Sequence, residues 1–270
     1  MALMIFGSGR ITFINKGGFV MSIKKIVTTI ATFVIVVLIW LFASKNANPL
    51  FIPSPVKVWS NFIQLLSDGS LLINVWYTFR RIMIASALSG GIALVIGLII
   101  HNIPVAKSSI GMLINLLRYV PVTAFYPLLI MWAGIGEEMK IAFLFIASFV
   151  YMMPTVVLAL EETPLEVIET GKTMGMNRFQ IITMIQLPSS LPSILNSFVM
   201  MIGIGWTYCA VVETINAKYG IGYVIQQSSS RGKTDLVFMG IIVIMACSFI
   251  IDVTLKFLIR KIFLWRYINE

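Results

Sequence analysis

Charged side chains are scarce in this sequence. Asp, Glu, Lys and Arg make up 11% of its 270 residues and hydrophobic residues 59%, and the mean hydropathy is +0.95. A soluble domain needs more polar surface than this composition provides. Several stretches also exceed about 18 apolar residues, the length that crosses the hydrocarbon core of a bilayer. The composition therefore predicts an all-α, polytopic membrane protein.

Residues with metal or redox chemistry are also few. The chain has one histidine, His101, and two cysteines, Cys209 and Cys247, which both lie inside apolar segments. We interpret the cysteines as packing residues, and His101 as a histidine at a helix end. The sixteen methionines include adjacent pairs, which do not share a helix face, so packing is favoured over soft-metal ligation. We predict no metal site.

Two further motifs are missing. The sequence contains no G-x-x-x-x-G-K-[ST] motif, so we expect no ATP site, no resident cofactor and no catalytic residues in this chain. The net charge of +9 is not arranged as a basic stripe with interleaved aromatics, which excludes a nucleic-acid partner. Lys and Arg instead collect at helix ends, as in membrane proteins.

The apolar stretches predict six transmembrane helices, near residues 26–43, 82–100, 110–132, 141–160, 194–212 and 236–259. Eleven Lys and Arg residues lie in segments 1–25, 101–109, 161–190 and 256–270, against eight in the opposite loops and their edges. Because basic loops stay in the cytoplasm, we expect both termini there. Arg80 and Arg81 are predicted at the outer interface, where long side chains reach water.

The first 20 residues differ from the remainder. Gly17-Gly18 can be encoded by a ribosome-binding sequence, and Met21 begins MSIKK, which is typical of an inner-membrane protein. We expect Met21 to be the native start, and residues 1–20 to be a translated leader with weak structure and no signal peptide. Residues 1–25 are the predicted cytoplasmic segment, and residues 26–265 the transmembrane domain.

Two prolines interrupt the third predicted span. Pro121 and Pro127 each remove a helix hydrogen bond, so RYVPVTAFYP should be bent or unwound. Breaks at membrane depth are tolerated where they line a cavity or pack in protein. Arg118 could attract an anion there or satisfy freed carbonyl groups. The candidate pathway residues of this segment are Arg118, Pro121, Thr123, Phe125 and Tyr126.

One carboxylate follows the fifth apolar run. Glu213 precedes INAKYGIG, whose two glycines would let a short segment fold back toward the pore. A carboxylate near membrane depth is costly and usually has a partner or a pathway role. Glu213 is therefore a candidate gate, and the alternative is an interfacial residue that meets water or Lys218. Asp252 and Lys256, four residues apart, are predicted to form an ion pair.

Residues 161–190 carry helix-capping signals between the fourth and fifth spans. Thr163 is predicted as an N-cap, Pro164 as the first helical residue and Glu166 as the capping-box partner. Gly175 would end this helix in the left-handed conformation.

A second capped helix is predicted directly after Gly175. Asn177 and Gln180 repeat the capping box, and Leu187-Pro188 would end the helix. Two short capped helices at a fixed angle form a rigid unit, which suits transmission of force to a soluble partner.

This segment resembles the EAA loop of the membrane subunits of bacterial ABC importers. The pattern E-x-x-x-x-x-G, nine residues, then I-x-L-P is matched by Glu169, Gly175, Ile185, Leu187 and Pro188. Thr170 and Gly171 depart from the two alanines that are usual in the family, but both are small. The resemblance implies an ATPase-coupling role for Glu169, Gly171, Gly175, Asn177, Arg178, Ile185, Leu187 and Pro188.

The resemblance extends from about Ile26 to Trp265. FIPSPVKVW, RYVPVTAFYPLLIMWAGIGE and TDLVFMGIIVI resemble the branch that imports nitrate, sulfonates, taurine or bicarbonate, and some pyrimidine precursors of thiamine. The family implies a type I importer permease that pairs with a second copy of itself. Its further implied partners are a cytoplasmic ATPase dimer, which binds ATP and Mg²⁺, and an extracytoplasmic solute-binding protein.

The alternative function is a stand-alone, ion-coupled secondary transporter. That class needs buried ionisable groups and usually internal inverted repeats, and the sequence shows few of the former and none of the latter. The solute stays open between a small anion and a flat heterocycle. Aromatic residues that would suit a heterocycle are Trp132, Tyr126, Phe125, Trp206 and Tyr208.

Overall fold

Residues 3–7, 10–14 and 23–266 are described by the computed structural model, and they are almost entirely helical. Met21, the expected native start, lies outside these residues. Near the N-terminus, β1 (Leu3–Gly7) and β2 (Arg10–Ile14) form an antiparallel hairpin, where the sequence predicts a weakly structured tail. Ile and Phe in both strands, and Thr in β2, favour extended backbone, a preference that the prediction overlooked.

Helices make up most of the remainder of the described chain. The α-helices are α1 (Ile23–Asn46), α2 (Pro55–Ser67), α3 (Ser70–Asn102), α4 (Pro104–Leu117), α5 (Tyr126–Ala133), α6 (Glu137–Glu161), α7 (Leu165–Thr173), α8 (Arg178–Gln180), α9 (Leu187–Glu213), α10 (Ile221–Ser230) and α11 (Thr234–Ile262). Short 3₁₀ turns cover Val122–Phe125 and Leu264–Arg266, and a π-helical turn covers Ile181–Gln186.

Five helical segments of the described chain are long and apolar enough to cross a membrane. They are Val27–Asn46, Ser70–Asn102, Glu137–Glu161, Arg178–Glu213 and Thr234–Ile262. These segments correspond to five of the six predicted spans. The third predicted span, residues 110–132, is divided into α4, a 3₁₀ turn and α5, so six continuous helices are not confirmed.

The centre of the bundle is formed by α3, α6 and α9. Ile82, Phe143 and Trp206 are fully buried in one apolar cluster. A second cluster along the same helices contains Met152 and Met153, which agrees with the packing role predicted for these methionines. Because lipid tails are as apolar as these side chains, close van der Waals packing, rather than removal from water, holds the three helices together.

The remaining long helices lie around this centre. Residues Val58, Leu71, Ile221, Met239 and Val243 form a third cluster, which joins α2, α3, α10 and α11. Helix α1 lies at the edge of the bundle, where the indole N–H of Trp40 donates to the carbonyl oxygen of Pro53 at 3.1 Å. We call the end of the bundle with residues 161–190 the loop end, and the opposite end, where α9 finishes, the Glu213 end.

Candidate functional site

At the loop end, α7 is closed by Gly175. This glycine has φ +79°, its N–H donates to the carbonyl of Lys172 and the N–H of Met176 donates to the carbonyl of Gly171, both at 3.0 Å. These two bonds form a Schellman motif, which requires a left-handed residue. The predicted stop at Gly175 is confirmed.

The next helix begins with the predicted capping box. The side-chain oxygen of Asn177 accepts from the N–H of Gln180 at 2.9 Å, and the Gln180 side-chain oxygen accepts from the N–H of Asn177 at 2.8 Å. One residue, Met176, therefore separates two opposite caps, Gly175 and Asn177, and the hydrogen bonds of these two caps fix the angle between α7 and the following helix.

The start of α7 differs from the prediction. The helix begins at Leu165, with Pro164 at the N-cap position and no side-chain cap. Thr163 is buried, and its hydroxyl has no hydrogen-bond partner among the described residues. Because Thr163 packs inward, its hydroxyl does not reach the first N–H groups of α7, and the box with Glu166 does not form.

The predicted end at Leu187-Pro188 is also wrong. Residues from Arg178 to Glu213 form one helical segment of 36 residues, so the second loop helix is the start of the fifth span. A π-helical turn, Ile181–Gln186, precedes Pro188. Pro188 has no N–H to donate to the preceding turn. Because the wider π-helical turn changes the hydrogen-bond register there, the helix can continue through Pro188.

Close packing joins α7 to this long helix. Gly171 is buried, and a Cβ on it would lie 2.6 Å from Cδ1 of Ile185 and 3.2 Å from Sδ of Met176. Of the residues in the loop pattern, Glu169 and Pro188 are exposed, while Ile185 and Leu187 are half-buried. The small residue at position 171 therefore lets the two helices approach closely.

Polar contacts tie the loop end to neighbouring helices. The Arg178 guanidinium donates to the carbonyl of Asn102, and the side chains of Gln186 and His101 meet at 3.2 Å. The carboxylate of Glu162 accepts from the Ser193 hydroxyl at 2.7 Å and from Arg266 at 2.9 Å. We call the two helices of residues 161–190 the helix pair. Arg178 and Gln186 tie it to α3, and Glu162 ties the start of α7 to Ser193 and the C-terminal turn.

Large apolar side chains nevertheless remain exposed on this helix pair. Among them Phe179 is 73% exposed. The set consists of Leu165, Val167, Met174, Phe179 and Met184. If residues 161–190 lie in the cytoplasm, as the sequence predicts, these exposed apolar side chains mark a surface for a partner.

The divided third span has the predicted break. Helix α4 ends at Leu117, Arg118 caps it, and the 3₁₀ turn starts after Pro121. Arg118 is exposed, and its guanidinium lies 5.9 Å from the centre of the Tyr151 ring. A cation–π contact of this kind holds the charge near the break.

The two faces of this break differ. Pro121 and Thr123 are exposed, whereas Val122 is buried, and Phe125 and Tyr126 pack against the central cluster around Phe143. Of the other aromatic candidates, Trp132 is exposed, Tyr208 is half-buried beside Phe143, and Trp206 is fully buried. Trp206 is thus a core residue in this chain.

Glu213 lies in a buried polar cluster at the other end of the bundle. Its side chain is 1% exposed and one carboxylate oxygen accepts from Nη1 of Arg81 at 2.7 Å. The other carboxylate oxygen accepts from the N–H of Gly222 at 2.8 Å, and the Thr78 hydroxyl donates to the carboxylate at 2.9 Å. Glu213 therefore does not meet Lys218 or bulk water.

Arg81 is the main partner that the sequence interpretation missed. It is 3% exposed rather than interfacial, and it forms two bonds of 2.6 Å with the carboxylate of Glu137. Lys140 lies 3.5 Å from the same carboxylate. Two cations and two anions thus balance each other. A regular spacing of polar residues on an apolar helix, Asn74, Thr78 and Arg81, was the signal that could have revealed this cluster.

The predicted pair of Asp252 and Lys256 is present, with a closest distance of 2.8 Å. No group of three or more His, Cys, Asp or Glu side chains that could hold a metal ion occurs in residues 3–7, 10–14 and 23–266. The described side chains therefore offer hydrogen-bonding and charge-pairing groups and exposed apolar side chains, but no assembled metal centre.

Comparison with known proteins places this arrangement in a family. The family described as binding-protein-dependent transport system inner membrane component matches residues 90–264. The chain belongs to this family. It is accordingly a multi-pass inner-membrane permease subunit of an ABC importer, and ATP is hydrolysed by a separate subunit.

Individual relatives agree with this assignment. The taurine transport system permease protein TauC of Escherichia coli K12 is 26% identical over 249 residues, which cover 90% of each chain. The putative aliphatic sulfonates transport permease protein SsuC of Bacillus subtilis 168 is 26% identical and covers 80% of this chain and 78% of its own. Family membership excludes the stand-alone secondary transporter.

A solved structure supports the type I permease fold. The bacterial alginate ABC transporter, in complex with alginate pentasaccharide-bound periplasmic protein, has a TM-score of 0.63 at 14% identity. The match covers 88% of this chain and 94% of that one.

Proposed function

We propose that this permease imports a small sulfonate-class anion and that the helix pair of residues 161–190 couples it to a cytoplasmic ATPase dimer. A second copy of the chain completes the pathway, and an extracytoplasmic solute-binding protein delivers the solute. The loop end, with both termini, faces the cytoplasm, and the Glu213 end faces outward.

The observation that carries the coupling role is the continuity of the helix from Arg178 to Glu213. The capping box at Asn177 and the close contact between Gly171 and Ile185 make the helix pair rigid. Its exposed apolar side chains, such as Phe179 and Met174, provide a surface for the ATPase. A displacement of α7 would therefore be transmitted to the fifth span rather than absorbed by a flexible loop.

The divided third span supports the proposed pathway. Arg118 and Thr123 are exposed beside the break, as are Tyr119 and Trp132. In a dimer whose copies meet at this face, Arg118 would bring a positive charge near the path, which favours an anion. Glu213 would serve as the gate at the outer end.

Two relatives named for taurine and aliphatic sulfonates support the sulfonate class. A flat heterocycle is the second candidate, since Trp132 is 72% exposed and lies on α5 with Tyr126. The aromatic rings of these side chains offer faces for stacking on a planar ring system.

Reconstitution tests this function. The permease, its ATPase and its solute-binding protein are placed in proteoliposomes, and uptake of radiolabelled taurine, an alkanesulfonate, nitrate and a pyrimidine is measured. We expect ATP-dependent uptake of a sulfonate that an excess of unlabelled sulfonate abolishes. Arg118→Gln should reduce the ATP-dependent sulfonate uptake about tenfold, while Arg80→Gln, at an exposed position, should leave the uptake unchanged. Uptake of the pyrimidine alone would contradict the sulfonate assignment.

A further inference from the structure

We propose that Arg81 is the positioning residue of the Glu213 end. Through Glu213 it holds the loop of residues 214–220 and the start of α10 against α3, and this loop can leave α3 only when Arg81 releases it. The consequence for transport rests on the proposed function, but the attachment of this loop to α3 by Arg81 and Glu213 does not.

The first step in the argument is that α10 has no cap of its own. Its N-cap is Gly220, which has no side chain to offer. The side chains of other helices bind the first N–H groups instead: Asn74 accepts from Gly220 at 2.8 Å, Thr78 accepts from Ile221 at 2.9 Å, and Glu213 accepts from Gly222 at 2.8 Å. The start of α10 is therefore fixed by α3 and α9.

The second step is that Arg81 connects these groups. One nitrogen, Nη1, donates both to Glu213 at 2.7 Å and to the backbone carbonyl of Tyr219 at 2.8 Å. Arg81 thus binds the loop directly and also orients the carboxylate that caps α10. A planar guanidinium can bond to both groups and to Glu137 at once, which an ammonium group cannot match.

The third step is the difference in burial between the two carboxylates. The Glu213 side chain is 1% exposed, whereas the Glu137 side chain is 49% exposed. Glu137 already tolerates contact with water, and it lies on α6 rather than in the loop, so its two bonds to the guanidinium can remain when the loop departs. Release then exposes Glu213, but Arg81 is never left without a partner.

Ala217 provides a reporter, because it is buried in this loop at 7% exposure while its neighbour Lys218 is exposed. In a background with Cys209→Ala and Cys247→Ala, Ala217→Cys is labelled with a membrane-impermeant maleimide. We expect Arg81→Met to raise the labelling rate at least tenfold. Arg81→Lys should give an intermediate rate, and Arg80→Met, which removes the same charge from the adjacent exposed position, should leave the rate unchanged.

Two controls separate loop release from general loosening. Lys218→Cys should label equally in every variant, and Ala159→Cys, buried near the loop end, should remain protected from a permeant maleimide. Where Arg81→Met fails to insert, Arg81→Met combined with Glu213→Gln removes both charges and keeps an acceptor for the Gly222 N–H. This pair should also label faster at Ala217→Cys.

The proposal would be overturned if Ala217→Cys labelled at the parental rate in a normally inserted Arg81→Met variant or in the variant that combines Arg81→Met with Glu213→Gln. An equal increase in the labelling rate at Ala159→Cys would also overturn it. Labelling needs neither ATPase nor solute. A failed uptake assay therefore tests the proposed function and leaves this inference standing.

Discussion

Gly171 packs directly against Ile185, and a Cβ on the glycine would lie 2.6 Å from Cδ1 of the isoleucine. Gly171→Ala should therefore destabilise the helix pair, because overpacking costs roughly 1–3 kcal/mol and outweighs a gain in helix propensity of about 1 kcal/mol. Ile185→Val removes Cδ1, so the double variant should recover most of the loss. Thermal unfolding of the purified permease measures both effects.

Gly91→Ala is the matched control, since a Cβ there would meet no atom within 4 Å. It should be neutral or slightly stabilising. A double variant no better than Gly171→Ala would show that the two side chains do not compete for space.

Gly175→Pro should uncouple transport. Proline fixes φ near −65° and has no N–H, whereas Gly175 has φ +79° and donates to Lys172. The angle between the loop helices would be lost, and we expect ATP-driven uptake to fall at least tenfold while membrane insertion persists. Glu169→Lys, at an exposed position on α7, should weaken co-purification of the ATPase.

Gly232→Pro makes the same change at a matched site. Gly232 also has positive φ and donates its N–H, to Ser229, but it precedes α11 at the other end of the bundle. ATPase co-purification should stay normal in this control. Parental uptake by Gly175→Pro would argue strongly against a coupling role for the helix pair.

Cysteines at Thr123 or Ala124 should react with a small water-soluble thiol reagent, because both residues are exposed beside the break in the third span. If this segment lines the path, the labelling rate should change severalfold when ATP binds. Val122→Cys is the control, since Val122 is buried and should stay protected in every state. Absence of labelling at positions 123 and 124 in all states would place them in a dry packing interface.

Glu213 variants should raise ATPase activity in the absence of binding protein. Glu213→Gln keeps an acceptor for the Gly222 N–H but weakens the bond to Arg81, and Glu213→Ala removes both. Charge-assisted bonds contribute roughly 1.5–3 kcal/mol each, so basal ATPase activity should rise about tenfold or more, and further for Ala than for Gln. Normal basal activity with impaired uptake would instead indicate a solute contact.

Local signals were sufficient for part of the loop end. Gly175 and the capping box of Asn177 and Gln180 depend on neighbours within a few residues, and the structure confirms both. Thr163 has an equally good local signal, but its burial overrides the capping preference. Pro188 predicts a helix end where the bonding is α-helical, whereas the π-helical turn before it lets the helix continue.

The Glu213 end depends on contacts between distant parts of the chain. Arg81 bonds to Glu137 and Glu213, which lie 56 and 132 positions further along the chain. No pattern near residue 81 specifies which carboxylates it meets. Hydropathy favoured an interfacial arginine, because an unpaired charge in the bundle would be very costly. The fold supplies two carboxylates, so the charge can be buried.

The unbroken helix from Arg178 to Glu213 also has a mechanical consequence. At 1.5 Å per residue it is about 54 Å long, so a rigid tilt of about 10° around its midpoint displaces each end by about 5 Å in opposite directions. That displacement exceeds the length of any hydrogen bond. A modest rotation imposed at Asn177 would therefore either carry α3 and the start of α10 along with Glu213 or break the hydrogen bonds that join Glu213 to Thr78 and Arg81.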